Sequence, residues 1–292
     1  MCPGGFAACK ASPWIYYRKS DFIRNKAKYC NCINEKEIVM LKDFTKEKFD
    51  IIITAGQSNA EGTGIGEADY PYEPSDRIWH LNADMTVTVA TERAFRNEIM
   101  SNFGVYFARR YIASEMLADD RKILIVRAVA GGTGFASGNW GMNDGCYLNM
   151  MEMIRTALSL NSENRIVAFL WHQGESDAMF HVNYDTHYGN LRRLIESVKS
   201  SFNAPDMPIV AADFVQKWKN DNIADAEPVV EAIKAVCRDL GGEFVETDGL
   251  LSNCEEHGRS IFDCDDTIHF SRRSLEKLGL RYFDAYKKLI KA

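Results

Sequence analysis

The stretch FDIIITAGQSNAEGTG, residues 49–64, decides how this chain is to be read. Its branched apolar run at 51–53 is uninterrupted, the pattern of a parallel strand covered on both faces rather than of a strand with one wet side. The apolar run then stops. Gly56, Gln57, Ser58 and Asn59 make a polar turn at the strand's C-terminal end, where open parallel sheets hold their ligands.

Working outward, the same alternation continues to the end of the chain. Strands are expected at 50–55, 122–129, 165–171, 208–214 and 243–247, with helices at 102–117, 147–160, 184–201 and 227–240 between them. A last helix starts near Ser271, a good N-cap, and Leu275, Leu278, Tyr282, Tyr286 and Leu289 repeat at three- and four-residue steps to make one apolar face. Strand and helix in turn imply an α/β fold with a parallel sheet between helical layers. No internal repeat or low-complexity tract interrupts it.

Bulk properties narrow the class. The 292 residues, 46% of them hydrophobic, suffice for a large α/β core. A net charge of −6 disfavours nucleic acid as a partner, since such proteins present a clustered basic face. No segment approaches the roughly 18 apolar residues of a membrane span, and the first thirty residues lack the apolar core of a signal peptide, so a cytoplasmic location is expected. The eight cysteines are dispersed and read as free thiols in a reducing compartment. Cys254, His257 and Cys264 could supply metal ligands, or Cys254 and Cys264 a disulfide, but neither they nor Cys30 and Cys32 show the paired CxxC spacing of a zinc site. Residues 1–45 stand apart as a basic extension: residues 9–32 hold six Lys or Arg against one Asp and no periodicity. Met40 offers an alternative start, and the folded domain is expected over 46–292.

Each strong strand ends in a chemically suggestive tail. The second runs into AGGTGFASGNW, residues 130–140, and the third into HQGESDA, residues 172–178. Far downstream, DDTIHFS places Asp266 three residues before His269. Acyl transfer needs a nucleophile, a base, a group that orients the base, and donors for the oxyanion. Ser58 can be the nucleophile, His269 its base, and Asp266 the acceptor that fixes the imidazole tautomer. No other histidine has an acid three residues upstream. The backbone N–H of Ser58, that of Gly131 or Gly132, and the Gln173 amide are natural oxyanion donors. Glu175 reads as a support for Gln173 or a nearby turn. Singly these signals are weak, because DxxH occurs by chance and GQSN can be a self-satisfied turn. Their conjunction at strand ends carries the reading.

Competing motifs fail. GTGIGE breaks the dinucleotide fingerprint at Glu67, GGTGFASG has Ser137 where the third glycine belongs, and no P-loop occurs. GQSNA resembles the nucleophile elbow of α/β-hydrolases but carries Ala60 at its last position and follows the first strong strand.

The GQSNAEG turn, the AGGT…W segment, WHQGESD and the terminal DxxHFS together resemble the SGNH hydrolase superfamily, and within it the sialate O-acetylesterase-like carbohydrate esterases, which also include acetylxylan esterases. The resemblance covers about residues 48–292. It implies a three-layer α/β/α sandwich, flavodoxin-like, with a central parallel sheet of about five strands. It also implies Ser58, Asp266 and His269 as the triad, an oxyanion hole of Ser58, Gly132 and Gln173 supported by Gln57, Asn59, Gly131 and Glu175, and neither cofactor nor metal. The implied substrate is an acetylated sugar or glycan; a non-catalytic sugar-binding relative and a lipase or thioesterase are the alternatives. Trp140, Tyr147, Phe135 and Trp218 are candidates to stack on a sugar, and Arg77, Arg93, Arg96 and Arg127 to meet the carboxylate of a sialic acid. Because the base must be a neutral imidazole, activity is expected to fall below about pH 6.5.

Overall fold

The computed structural model describes residues 43–95, 97–258 and 265–291. Most of the basic extension, Met40, Cys30, Cys32, Arg96 and Cys264 lie outside them. In chain order the elements are β1 (Lys48–Gly56), α1 (Ser58–Glu61), β2 (Ile78–Leu81), β3 (Val87–Val89), β4 (Arg93–Phe95), β5 (Glu98–Met100), α2 (Phe103–Ala113), β6 (Arg121–Val129), α3 (Gly145–Ser159), β7 (Arg165–His172), α4 (Glu175–Met179), α5 (Tyr184–Ser201), β8 (Ile209–Ala212), α6 (Gln216–Asp221), α7 (Ile223–Asp239), β9 (Glu243–Val245), α8 (Asn253–His257) and α9 (Arg272–Leu289).

The quoted stretch builds the middle of the molecule. The sheet runs β3-β2-β6-β1-β7-β8-β9, with β1 central and every pairing parallel except β2 with β3. Phe49, Ile51, Ile52, Ile53 and Ala55 are fully buried, as expected of a strand covered on both faces. Successive side chains of β7 show the two faces. His172 meets Phe103 of α2 and Tyr282 of α9, whereas Trp171 meets Phe135 and Trp140 on the side that leads into α3. Helices α2 and α9 form one layer, with Phe103 stacked on Tyr282 at 4.5 Å and Phe107 edge-on to Phe283 and Tyr286. Helices α3, α5 and α7 form the other, α3 tied to α5 by the Tyr147–Ser197 hydroxyl pair at 2.6 Å.

All five expected strands form, but the sheet has seven. The two additions, β2 and β3, have four and three residues and meet around the turn that Asn82 closes onto Thr86. Runs that short carry too few residues to show a period.

Parallel register brings the site together. Gly56 pairs with both Val129 and His172, so the segments that follow, beginning at Gln57, Ala130 and Gln173, leave the sheet at one level. Gly56 sits at φ +139°, and a Cβ there would lie 2.0 Å from the His172 carbonyl oxygen. Only glycine allows β1 to turn this close to β7.

At the opposite, N-terminal edge, the fully buried Asp50 accepts from Arg121 Nε at 2.6 Å, Arg165 Nε at 2.7 Å and the Tyr111 hydroxyl at 2.8 Å. Burial, the largest influence, favours the neutral acid, but these three bonds outweigh it and hold the Asp50 carboxyl below its ordinary value.

Candidate active site

Ser58 opens α1 directly after the Gly56–Gln57 turn. Its hydroxyl lies 2.8 Å from His269 Nε2, and His269 Nδ1 lies 2.7 Å from Asp266 Oδ1. Three residues that are up to 211 positions apart in sequence thus form one hydrogen-bonded line. All three are buried, which strengthens these bonds relative to water.

The histidine loop is held from several sides. Asp266 also accepts the His269 backbone N–H at 3.2 Å and the Asn253 amide at 2.8 Å. Burial alone would raise the Asp266 pKa; the His269 bond and charge, the Asn253 amide and the backbone N–H together pull it below the ordinary value. The ionised carboxylate is therefore favoured beside the His269 ring. Two residues past His269, the Ser271 side chain caps α9 by accepting from the Ser274 N–H. Arg272 then takes Glu92 with two nitrogens, Nε at 3.0 Å and Nη2 at 2.5 Å. This bidentate pair is largely buried and fixes where α9 begins.

Asn59 fastens the nucleophile turn to that loop. Its amide donates to the Ile268 carbonyl at 3.1 Å and to Glu175 Oε1 at 2.8 Å, while its Oδ1 accepts the Phe270 N–H at 3.1 Å. Glu175 is fully buried behind it, with His172 Nε2 at 3.6 Å. Burial opposes its ionisation, but the His172 contact and charge, its own backbone N–H and the Asn59 bond hold its pKa low. Gln57 turns its Oε1 toward the N–H groups of Ser176 and Gly174, at 3.2 and 3.4 Å, and so seats the start of α4.

The segment after β6 lies against Ser58. Gly131 packs on the nucleophile: a Cβ there would lie 3.7 Å from Ser58 Cβ. Its N–H is already given to Glu61 Oε2 at 3.0 Å, whereas the N–H groups of Gly132 and Ser58 donate to no acceptor among the described residues. Of the two glycines named as donors, only Gly132 therefore has its N–H available. Gly132 has φ +71° and empty space where a Cβ would be. Gln173 Nε2 has Asp177 Oδ2 as its first partner, at 2.9 Å, with Gln57 Oε1 and the Thr133 carbonyl both at 3.4 Å. Asp177 also accepts the Ala136 and Phe135 N–H groups at 2.8 and 3.2 Å. Against burial, the His187 ring 3.4 Å away and bonds from Ala136 and Gln173 keep its carboxyl below the usual range.

Other expectations are corrected. Trp140, Tyr147, Phe135 and Trp218 are only 1%, 5%, 9% and 8% exposed and belong to the core, so none offers an open face to a sugar. Trp140 instead packs edge-on to Trp171 at 5.2 Å and donates its indole N–H to Thr133. Arg77 precedes β2, at the sheet's N-terminal edge, and bonds the Ala118 carbonyl far from Ser58. Arg93 and Arg127 do reach the nucleophile turn, both through Glu61. Among the described residues no group of three acids, histidines or cysteines has metal-binding geometry, and no helix is long and apolar enough to cross a membrane. Sequence reasoning missed Asn253, Asp177 and Glu61. Asp177 stood inside the quoted WHQGESD and Glu61 inside GQSNAEG, while Asn253 lies beside the cysteine that drew attention instead.

Comparison with known proteins bears on the family and the fold. The profile of a family described as carbohydrate esterase, sialic acid-specific acetylesterase, matches residues 48–288. A probable carbohydrate esterase of Arabidopsis thaliana is 26% identical over 219 residues, spanning 68% of this chain and 82% of that protein. Among solved structures, NanS superposes with a TM-score of 0.71 at 19% identity, covering 85% of this chain and 99% of NanS. An Arabidopsis thaliana protein gives 0.61 at 20% identity over 82% and 98% of the two chains. At those identities the superpositions establish the shared fold.

Proposed function

The chain belongs to the sialic acid-specific acetylesterase family of carbohydrate esterases, and from that premise we propose that it is a serine esterase removing O-acetyl groups from carbohydrate hydroxyls. The observation that carries this reading is the unbroken line from Ser58 Oγ through His269 to Asp266, at 2.8 and 2.7 Å.

On this reading His269 Nε2 takes the Ser58 proton as the hydroxyl attacks the acetyl carbonyl. The resulting oxyanion is met by the N–H groups of Ser58 and Gly132. Gln173 adds the amide hydrogen whose nearest acceptors stand at 3.4 Å, its other hydrogen staying on Asp177. One such donor is worth about 3 to 4 kcal/mol in the transition state. The imidazolium returns its proton to the departing sugar hydroxyl, leaving Ser58 acetylated. Water, deprotonated by the same histidine, then releases acetate and restores the serine. Asp266 keeps the imidazole in the tautomer that needs no rearrangement between the two halves.

Among acetylated sugars, the family's description places sialic acid first. Arg93 and Arg127, the two candidate partners for a substrate carboxylate that reach the turn, are bonded to Glu61 there, so a sialic acid substrate rests on the family alone. Acetate release across a panel of acetylated sialic acids, xylans and neutral sugars tests this, with Ser58→Ala as control. Release by the wild type and none by the variant, with an unchanged circular dichroism spectrum, is the expected result. Equal release by both would remove Ser58 from the chemistry, and a wild type that binds sugar without turnover or fluorophosphonate labelling would make the protein a binding relative.

A further inference from the structure

The oxyanion segment is held by two carboxylates, one on each side of Gly132. Asp177 takes the N–H groups of Phe135 and Ala136 downstream, and Glu61 takes that of Gly131 upstream. Glu61 is the more telling of the two. It closes α1, the same single turn that Ser58 opens, with its own N–H on the Gln57 carbonyl at 2.8 Å and the next N–H, of Gly62, on the Ser58 carbonyl at 2.9 Å. Its position is therefore rigidly coupled to that of the nucleophile.

Its other atoms are also committed. Oε1 pairs with Arg93 Nη1 at 3.1 Å, and its carbonyl accepts from Arg127 Nη2 at 3.1 Å. The carboxylate is about a fifth exposed, so it is neither a solvated surface acid nor a sealed one. A negative charge this close to Ser58 opposes formation of a neighbouring oxyanion unless it is offset. Arg93 supplies the offset.

We propose, on the basis of the esterase reading, that Glu61 is a positioning residue for the oxyanion hole. Its carboxylate anchors Gly131 to the nucleophile turn, so that the next N–H along the chain, that of Gly132, is kept at a fixed place relative to Ser58. Arg93 cancels the charge that this anchor brings. The arrangement explains why the first glycine of the pair is hydrogen-bonded while the second is open, and why an acid stands three residues after the nucleophile.

The test compares full-length wild type, Glu61→Ala, Glu61→Gln, Arg93→Ala and the Glu61→Gln/Arg93→Ala double variant, using an aryl acetate and thermal unfolding. Glu61→Ala is expected to lower kcat roughly ten- to a hundredfold, the scale of a misplaced oxyanion donor, with KM little changed. Glu61→Gln, whose amide oxygen still accepts the Gly131 N–H, is expected to recover most of that loss. Arg93→Ala removes the direct ion pair, leaving only Arg127 near the anchor's charge, and lowers kcat; the double variant, with a neutral anchor that is still hydrogen-bonded, recovers it. Wild-type kcat in Glu61→Ala overturns the proposal. So does a Glu61→Gln variant as slow as Glu61→Ala, or a double variant no faster than Arg93→Ala, since each denies that the hydrogen bond and its charge balance matter. If Glu61→Ala does not fold, the Arg93→Ala pair of measurements decides. A wild type without turnover would instead remove the esterase reading itself, and the positioning role with it.

Discussion

Replacing Asn59 by alanine tests whether the nucleophile turn and the histidine loop are one mechanical unit. Three hydrogen bonds are lost: the amide to Glu175 at 2.8 Å, the amide to the Ile268 carbonyl at 3.1 Å, and the Phe270 N–H to Oδ1 at 3.1 Å. The two neutral bonds are worth about 0.5 to 1.5 kcal/mol each and the one to a carboxylate about 1.5 to 3. Glu175, fully buried, is also left with its closest donor gone. The total is about 4 kcal/mol. At about 2 to 4 °C per kcal/mol for a chain of this size, Tm should fall by roughly 8 to 16 °C. Activity at 25 °C should fall further than folding requires, by about a hundredfold in kcat, because the variant frees the loop that carries His269 to drift from Ser58. Differential scanning calorimetry and aryl acetate turnover on the same preparation measure both. A Tm within about 2 °C of wild type with kcat unchanged would refute the reasoning, since it would mean that the loop holds its place without this side chain.

Other perturbations have distinct signatures. Asp266→Asn keeps the shape of the triad but removes the charge that stabilises the imidazolium, so kcat for an aryl acetate, measured where the variant is still folded, should drop by about 10³ to 10⁴, and Tm should fall as well because Asp266 accepts three donors; a loss below tenfold would remove Asp266 from the triad. Asp50 has a folded-state pKa below its ordinary value of 3.8, so its stabilisation is complete above that pH and is lost as pH falls through the lower folded value. Asp50→Asn, which breaks a buried charge network, should cost about 3 to 5 kcal/mol at neutral pH and make the decline below pH 3.8 shallower, though not flat, because Asp266, Glu175 and Asp177 titrate low as well; urea titrations at several pH values would contradict this if both curves ran parallel. Trp140→Ala should lower stability by about 3 to 5 kcal/mol, as a lost core residue does, while KM for sugar esters that the protein turns over moves only with the folded fraction. A KM rise without loss of Tm would restore Trp140 as a sugar platform.

The centre of the fold was readable because its signals are local. Unbroken apolar residues at 51–53 and 123–126 identify buried strands, and the apolar stripe of α9 declares its facing. β2 and β3 were not readable, since strands of four and three residues draw their order from neighbours already in place. The hydrogen-bonded Ser58–His269–Asp266 line was legible through residue type: serine after β1, and an acid and histidine three apart near the end of the sequence. What the sequence could not convey is which groups are already satisfied. Gly131 and Gly132 look equivalent as letters, and the structure distinguishes them by the Glu61 carboxylate on Gly131 and the positive φ of Gly132. Gln173 looks like a free donor until Asp177, four residues on and one helical turn away, takes its amide. Aromatic residues near a motif likewise suggest a sugar platform, but Trp140 and Phe135, in the loop between β6 and α3, turn inward and close on Trp171.

The central claim is that His269 activates Ser58 for covalent attack. Brief reaction of the protein with an aryl acetate, acid quench and peptide mass analysis measures it directly, with His269→Ala alongside. The account predicts one acetyl group on the peptide bearing Ser58 in the wild type and none there in the variant. Turnover of the ester with acetate released but no acetyl on Ser58 under any quench time, or equal acetylation in the variant, would contradict it.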